Sequence, residues 1–198
     1  MQIILISDTK LVADGLTAMA ERAGAGSVLV IDAAAPDPAS RGGSAAALYR
    51  EIGLDVTVTD PLTEPMPDLD GFDLLHLSGG NPFRLLAAAQ EIGLKEMILE
   101  RAAGAPFTLV GSSAGAMVLG RDISHARILM PDLGLTDSAG FGWIDGPVMP
   151  HMDMSGWRGD VIRAHVADNP DPDWVWLCEN SFECRELFPE AELAPDEI

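Results

Sequence analysis

The segment GSSAGAMVLG at residues 111–120 sets two serines between glycines, straight after the apolar run Phe107–Val110. Gly111-Ser112-Ser113-Ala114-Gly115 fits the pattern G-x-S-x-G, with Ser113 at its centre. In a nucleophile elbow the chain turns sharply from strand to helix, and the strained central residue holds its hydroxyl clear of the sheet. Bulk two positions to either side would clash across such a turn. The same turn sets the hydroxyl near the positive end of the following helix. Taken alone, the five residues leave a nucleophile and a structural Gly/Ser turn both open.

A serine nucleophile needs a base, and imidazole suits the task because it titrates near neutral pH. The chain has His76, His125, His151 and His165. His76 lies inside the strand-like run FDLLHLS and reads as a core histidine. His165 falls in a helical stretch and reads as packing or surface. His125 sits in a loop with no special context. His151 follows GPVMP at an expected strand end, where Pro150 restricts the approach of the chain, and is favoured as the base. A carboxylate would orient that imidazole and stabilise its cation. Asp122, Asp132, Asp137 and Asp145 lie between serine and histidine, and spacing does not choose among them. The developing oxyanion needs backbone donors. The amide of Ala114 is one, and the loop Gly79-Gly80-Asn81 offers the close backbone approach that glycine permits.

These residues need a scaffold, and the pattern along the chain describes one. Short apolar runs at Ile3–Ile6, Val28–Ile31, Asp55–Thr59, Phe72–Leu77 and Phe107–Val110 read as strands. Amphipathic stretches at Leu11–Arg22, up to Ile52, from Pro82 to Arg101 with a break at Gly93, and at Ala114–Leu119 read as helices. Residues 33–46 and 61–71, rich in Pro, Gly or Ser, read as loops. Further on, strands are expected near Ala126–Met130, Pro147–Met149 and Trp174–Cys178, with a helix over Gly156–Val166. Such alternation predicts an α/β three-layer sandwich, a mostly parallel sheet with helices on both faces. Residues 1–198 are expected to form one domain. In such sheets functional groups collect at the carboxyl ends of strands, where SGGN and GSSAG both fall.

The chain has 198 residues and a formal net charge of −19. Binding nucleic acid requires a basic face, which is not visible here. The Gly-rich loops match neither a dinucleotide fingerprint nor a P-loop, and no cofactor is expected. The acidic balance reads as a solvated surface. No apolar run approaches the roughly 20 residues that span a bilayer, so no membrane partner is expected. The start MQIILISDTK lacks the basic region of a signal peptide, and the protein is read as cytoplasmic. Cys178 and Cys184 then read as reduced thiols, and their spacing does not suit a metal site. Association into a homodimer is left open.

Three motifs, LSGGNPFRLL, LVGSSAGAMVLG and GFGWIDGPVMPHMD, together resemble the dipeptidase E (aspartyl dipeptidase) and cyanophycinase family of serine peptidases. They match in order and approximate spacing over residues 77–153. The resemblance implies a class I glutamine amidotransferase-like fold. It implies Ser113 as nucleophile, His151 as base, and Gly79, Gly80 and Ala114 as the oxyanion hole. For the acid, Asp132 best matches the expected distance from the serine, and Asp137, in LTDS, resembles a segment of some relatives. The implied substrate is a small peptide with an N-terminal aspartate. Its side chain calls for a cation, and arginine binds carboxylates bidentately. Arg158, in MSGWRGDVIR, resembles the substrate-binding arginine region, and Asn81 is expected beside the substrate. A cyanophycinase-like isoaspartyl peptidase, an esterase with the same elbow and a non-catalytic binding module of this fold are the alternatives.

Overall fold

The structure is a computed structural model and describes residues 1–34 and 43–186. Part of the loop expected over 33–46 lies outside these residues. Strands β1 (Gln2–Ile6), β2 (Ser27–Ile31), β3 (Asp55–Thr59), β4 (Leu74–Leu77), β5 (Thr108–Ser112) and β8 (Phe182–Glu186) make one sheet in the order β3-β2-β4-β5-β1-β8. The first five pair in parallel, and β8 closes the β1 edge antiparallel. β6 (Val148–Met149) and β7 (Val175–Trp176) form a separate parallel pair.

Alternation along each strand creates two cores. Ile3, Leu5, Leu29, Ile31, Leu75, Leu77 and Leu109 face one layer, with helices α3 (Pro82–Ile92), α4 (Leu94–Gly104) and α5 (Ala114–Leu119) over them. Ile4, Ile6, Val28, Val30, Leu74 and Val110 face the other, under α1 (Ala13–Ala23) and α2 (Gly43–Glu51). Strands apolar on both faces are the mark of a doubly covered parallel sheet. The result is the α/β three-layer arrangement that the sequence predicts. Helix α6 (Trp157–Asp168) follows β6 and packs Ile162 and Val166 near Met149.

Two expectations differ. Ala126–Met130 is not a strand: Ser124–Ile128 is a 3-10 turn. β8 was not anticipated, because FECRE is charged and lies at the sheet edge, half-exposed to exposed. Gly93, at φ +68, ends α3 where the break was expected.

Candidate active site

β5 runs into α5 without an intervening loop, and Ser113 is the joint. Its backbone stands at φ +48, ψ −103, a region that residues with a Cβ rarely occupy. The flanking small residues are required by contact. A Cβ on Gly115 would lie 2.1 Å from the Leu77 carbonyl oxygen, and one on Gly111 would lie 2.9 Å from Ala116 N. The Ser113 N–H donates to the Ile6 carbonyl at 2.9 Å, which ties the elbow to β1. Ser112 points elsewhere: it is buried, with its Oγ 3.1 Å from Thr9 Oγ1.

β6 ends at Met149, and two residues later His151 stands at φ +65. The Ser113 hydroxyl donates to His151 Nε2 at 2.9 Å. The other ring nitrogen, Nδ1–H, donates to Glu179 Oε1 at 2.5 Å. Because a carboxylate only accepts, this contact puts the proton on Nδ1 and leaves Nε2 the lone pair that a base needs. The carboxylate follows β7, as the histidine follows β6. Leu177 N–H donates to the Met149 carbonyl at 2.9 Å, and Met152 N–H to the Leu177 carbonyl at 3.1 Å. Glu179 follows, its own N–H donating to Asp153 Oδ1 at 2.6 Å.

Neither sequence-predicted acid reaches the histidine. Asp132 is held by the Gly134 N–H and the Arg127 guanidinium, at 3.1 Å each, which keep its carboxyl below the usual carboxylate range. Asp137 accepts from the Ala139 N–H at 3.0 Å in an exposed turn. Both sit in the excursion between α5 and β6. Glu179 lies after the histidine in the chain, outside the interval between serine and histidine. The signal that points to it is its place at the carboxyl end of the strand expected at Trp174–Cys178.

The loop after β4 brings Gly79 against the elbow, where a Cβ on Gly79 would lie 3.3 Å from the Ser113 Cβ. Gly80, at φ +141, passes so close to Ala34 that a Cβ would lie 2.5 Å from its carbonyl oxygen. Among the described residues, the Gly79 and Gly80 N–H groups have no acceptor. Ala114 opens α5, so its N–H has no intrahelical partner. Asn81 is occupied. Its Oδ1 caps α3 by accepting from Phe83 and Arg84 N–H, and its Nδ2 donates to the Pro131 carbonyl at 3.0 Å. It shapes the loop, and both ends of its amide are already bonded within the protein.

Ser113 and His151 share the wall of an apolar cavity with Met117, Met130, Met149, Met154 and Ile162, and Arg158 reaches the same cavity. Arg158 is exposed, stacks over the Trp157 ring at 5.5 Å, and has no carboxylate partner among the described residues. Arg84 is different: its guanidinium donates to the Ala33 carbonyl and pairs with Asp60 at 2.8 Å. His125 is the second histidine of this wall, donating from Nε2 to the Val148 carbonyl at 3.0 Å, and burial lowers its pKa to about 4. His76 is fully buried with Nδ1 on the Tyr49 hydroxyl, and burial lowers its pKa to about 3.

An elbow serine, an imidazole and a carboxylate in one hydrogen-bonded line, at strand ends of an open α/β sheet, are the geometry of a serine hydrolase site. The chain belongs to peptidase family S51, whose sequence model matches residues 4–182. It is 29% identical to the cyanophycinases of Trichormus variabilis and a Nostoc species, over 81% of this chain and 58% of theirs. It is 29% identical to the peptidase E of Streptomyces coelicolor, over 62% of this chain and 43% of that one. The chain thus spans less than two thirds of the length of these relatives. Among solved structures, a putative peptidase E from Listeria monocytogenes superposes with a TM-score of 0.76 at 20% identity, covering 94% of this chain and 98% of that one. A peptidase from an acI-B1 Actinobacterium gives 0.67, also at 20% identity, over 93% and 83%. At that identity the likeness concerns the fold.

Proposed function

We propose that this chain is a serine peptidase that cleaves small peptides after an N-terminal aspartate, with Ser113 as nucleophile, His151 as base and Glu179 as the orienting acid. The observation that carries the reading is the unbroken line Ser113 Oγ–His151 Nε2 at 2.9 Å and His151 Nδ1–Glu179 Oε1 at 2.5 Å. Ser113 Oγ attacks the scissile carbonyl carbon while its proton passes to Nε2. The Gly79, Gly80 and Ala114 amides surround the place where the carbonyl oxygen takes up charge. The tetrahedral intermediate collapses, the C–N bond breaks, and Nε2–H protonates the leaving amine. Water then repeats the sequence on the acyl-enzyme and frees the acid. Glu179 holds the ring in one tautomer and offsets the imidazolium charge throughout.

Arg158 supports the aspartyl preference. In a chain with 31 acidic residues and only 12 Lys and Arg, a guanidinium in the cavity wall without a carboxylate partner among the described residues is suited to a substrate carboxylate. The names of the relatives, peptidase E and cyanophycinase, agree with a peptide substrate. The test is release of free aspartate from Asp-Xaa dipeptides, set beside Asn-Xaa, Ala-Xaa and β-aspartyl-Xaa. Preference for Asp-Xaa supports the reading. Preference for the β-linked peptide would move the protein to an isoaspartyl peptidase, and equal rates on all four would end the aspartyl assignment.

A further inference from the structure

Ser7 follows the last residue of β1 and is 1% exposed. Its oxygen accepts the backbone N–H of His151 at 2.8 Å and lies 3.2 Å from Nδ1 of the same residue. Among the described residues, it is the one side chain bonded to both the main chain and the ring of this histidine. The contact matters because His151 stands at φ +65, where residues with a Cβ are disfavoured. A buried acceptor that reads the N–H in that conformation helps hold it there. Ile6, next to Ser7, accepts the Ser113 N–H at 2.9 Å. Two consecutive residues at the end of β1 therefore hold the two halves of the reacting pair, one through its carbonyl and one through its hydroxyl.

We infer that Ser7 is a positioning residue for the base. It fixes the His151 main chain and shares the Nδ1 proton with Glu179, so that Nε2 faces Ser113 Oγ. This rests on the reading of Ser113 and His151 as nucleophile and base. When the serine proton moves to Nε2, the ring becomes a cation with two N–H groups. Glu179 and the Ser7 oxygen then both accept from Nδ1, and the ring cannot swing away before Nε2–H reaches the leaving nitrogen. Ser7 touches no reacting atom, so its removal should slow the chemical step and leave substrate binding intact.

The test compares wild type, Ser7→Ala, Ser7→Cys and Ser7→Thr in two assays: steady-state peptide hydrolysis, and the rate of covalent labelling of Ser113 by a fluorophosphonate. Cysteine is nearly isosteric but a weak acceptor, so it carries the test if the alanine variant does not fold. Threonine keeps the oxygen. The expected result is a kcat and a labelling rate reduced on the order of 10- to 100-fold in Ala and Cys, as for a catalytic group misplaced by a fraction of an ångström to an ångström. KM should stay within about twofold, because binding is untouched. Threonine should retain more activity than cysteine. Equal labelling of wild type and Ser7→Cys, or cysteine outperforming threonine, would overturn the inference alone. No labelling of the wild type would overturn the peptidase reading, and this inference with it.

Discussion

Nδ1 of His151 and Oε1 of Glu179 lie 2.5 Å apart across 28 residues of chain, carried there by the ends of two paired parallel strands. If this carboxylate sets the tautomer of the base, Glu179→Gln should lower kcat by up to about 10⁴-fold with the fold unchanged. Asp132→Ala and Asp137→Ala, whose carboxylates are bonded elsewhere, should stay within about twofold, as surface substitutions generally do. Steady-state kinetics on the three variants decides. An active Glu179→Gln beside a disabled Asp132→Ala would return the acid to the excursion between α5 and β6.

The sequence carried the sheet and the elbow because both are local. Alternating apolar runs mark β1 to β5, and the small residues around Ser113 answer a clash that one turn creates. The place of His151 beside Ser113 is legible from a strand end and a proline. The Glu179 contact is not, because a serine–acid–histidine order places the carboxylate before the histidine, while packing brings Glu179 to the ring from beyond a later strand. The rule that functional groups gather at carboxyl ends of strands, applied to the strand expected at Trp174–Cys178, reaches Glu179. Asn81 has a structural role that the sequence also allows. At a helix start, Asn is as good a cap as a ligand, and here its amide caps α3 and bridges to Pro131.

Arg158 should govern specificity rather than chemistry. Arg158→Ala should lose most of its kcat/KM on Asp-Xaa while changing little on Ala-Xaa, so that the gap between them narrows. A charge-assisted pair of this type is worth about 1.5–3 kcal/mol, or roughly 10- to 100-fold. The check is kcat/KM for Asp-Xaa, Asn-Xaa and Ala-Xaa on both proteins. An unchanged Asp preference in the variant would make Arg158 a surface residue stacked on Trp157.

The elbow should tolerate no added bulk. A Cβ on Gly115 would lie 2.1 Å from the Leu77 carbonyl oxygen and 2.7 Å from its Cβ, inside the sheet. Gly115→Ala is expected to destabilise by about 3 kcal/mol or more, the upper range for overpacking. Gly104→Ala, with nothing within 4 Å of its Cβ, should be neutral or stabilising. Urea unfolding of both variants measures this, and equal midpoints would show that the β5–α5 joint yields.

His76 gives a pH dependence of stability with a definite sign. In the folded protein burial lowers its pKa to about 3, while in the unfolded chain it titrates near 6.5. Between those values the unfolded state binds the extra proton. Stability should therefore fall as pH drops below 6.5, by about 1.4 kcal/mol per pH unit for this group, and the effect is absent above that range. His125, lowered to about 4, adds in the same direction. Unfolding at pH 7.5 and pH 5 should show a drop for wild type that shrinks by about 2 kcal/mol in His76→Leu. An identical drop in the variant would mean that another group titrates.

The proposed peptidase chemistry depends most on Ser113 being a nucleophile activated by His151. The direct measurement is mass spectrometry of the protein after reaction with a fluorophosphonate, with the modified residue located by peptide mapping. One adduct on Ser113 is predicted in wild type and in Ser112→Ala, since Ser112 is tied to Thr9 away from the histidine. The adduct should be absent from Ser113→Ala and slowed by orders of magnitude in His151→Ala. A wild-type protein that takes no label, or a Ser113→Ala protein that labels as fast as wild type, would contradict the account.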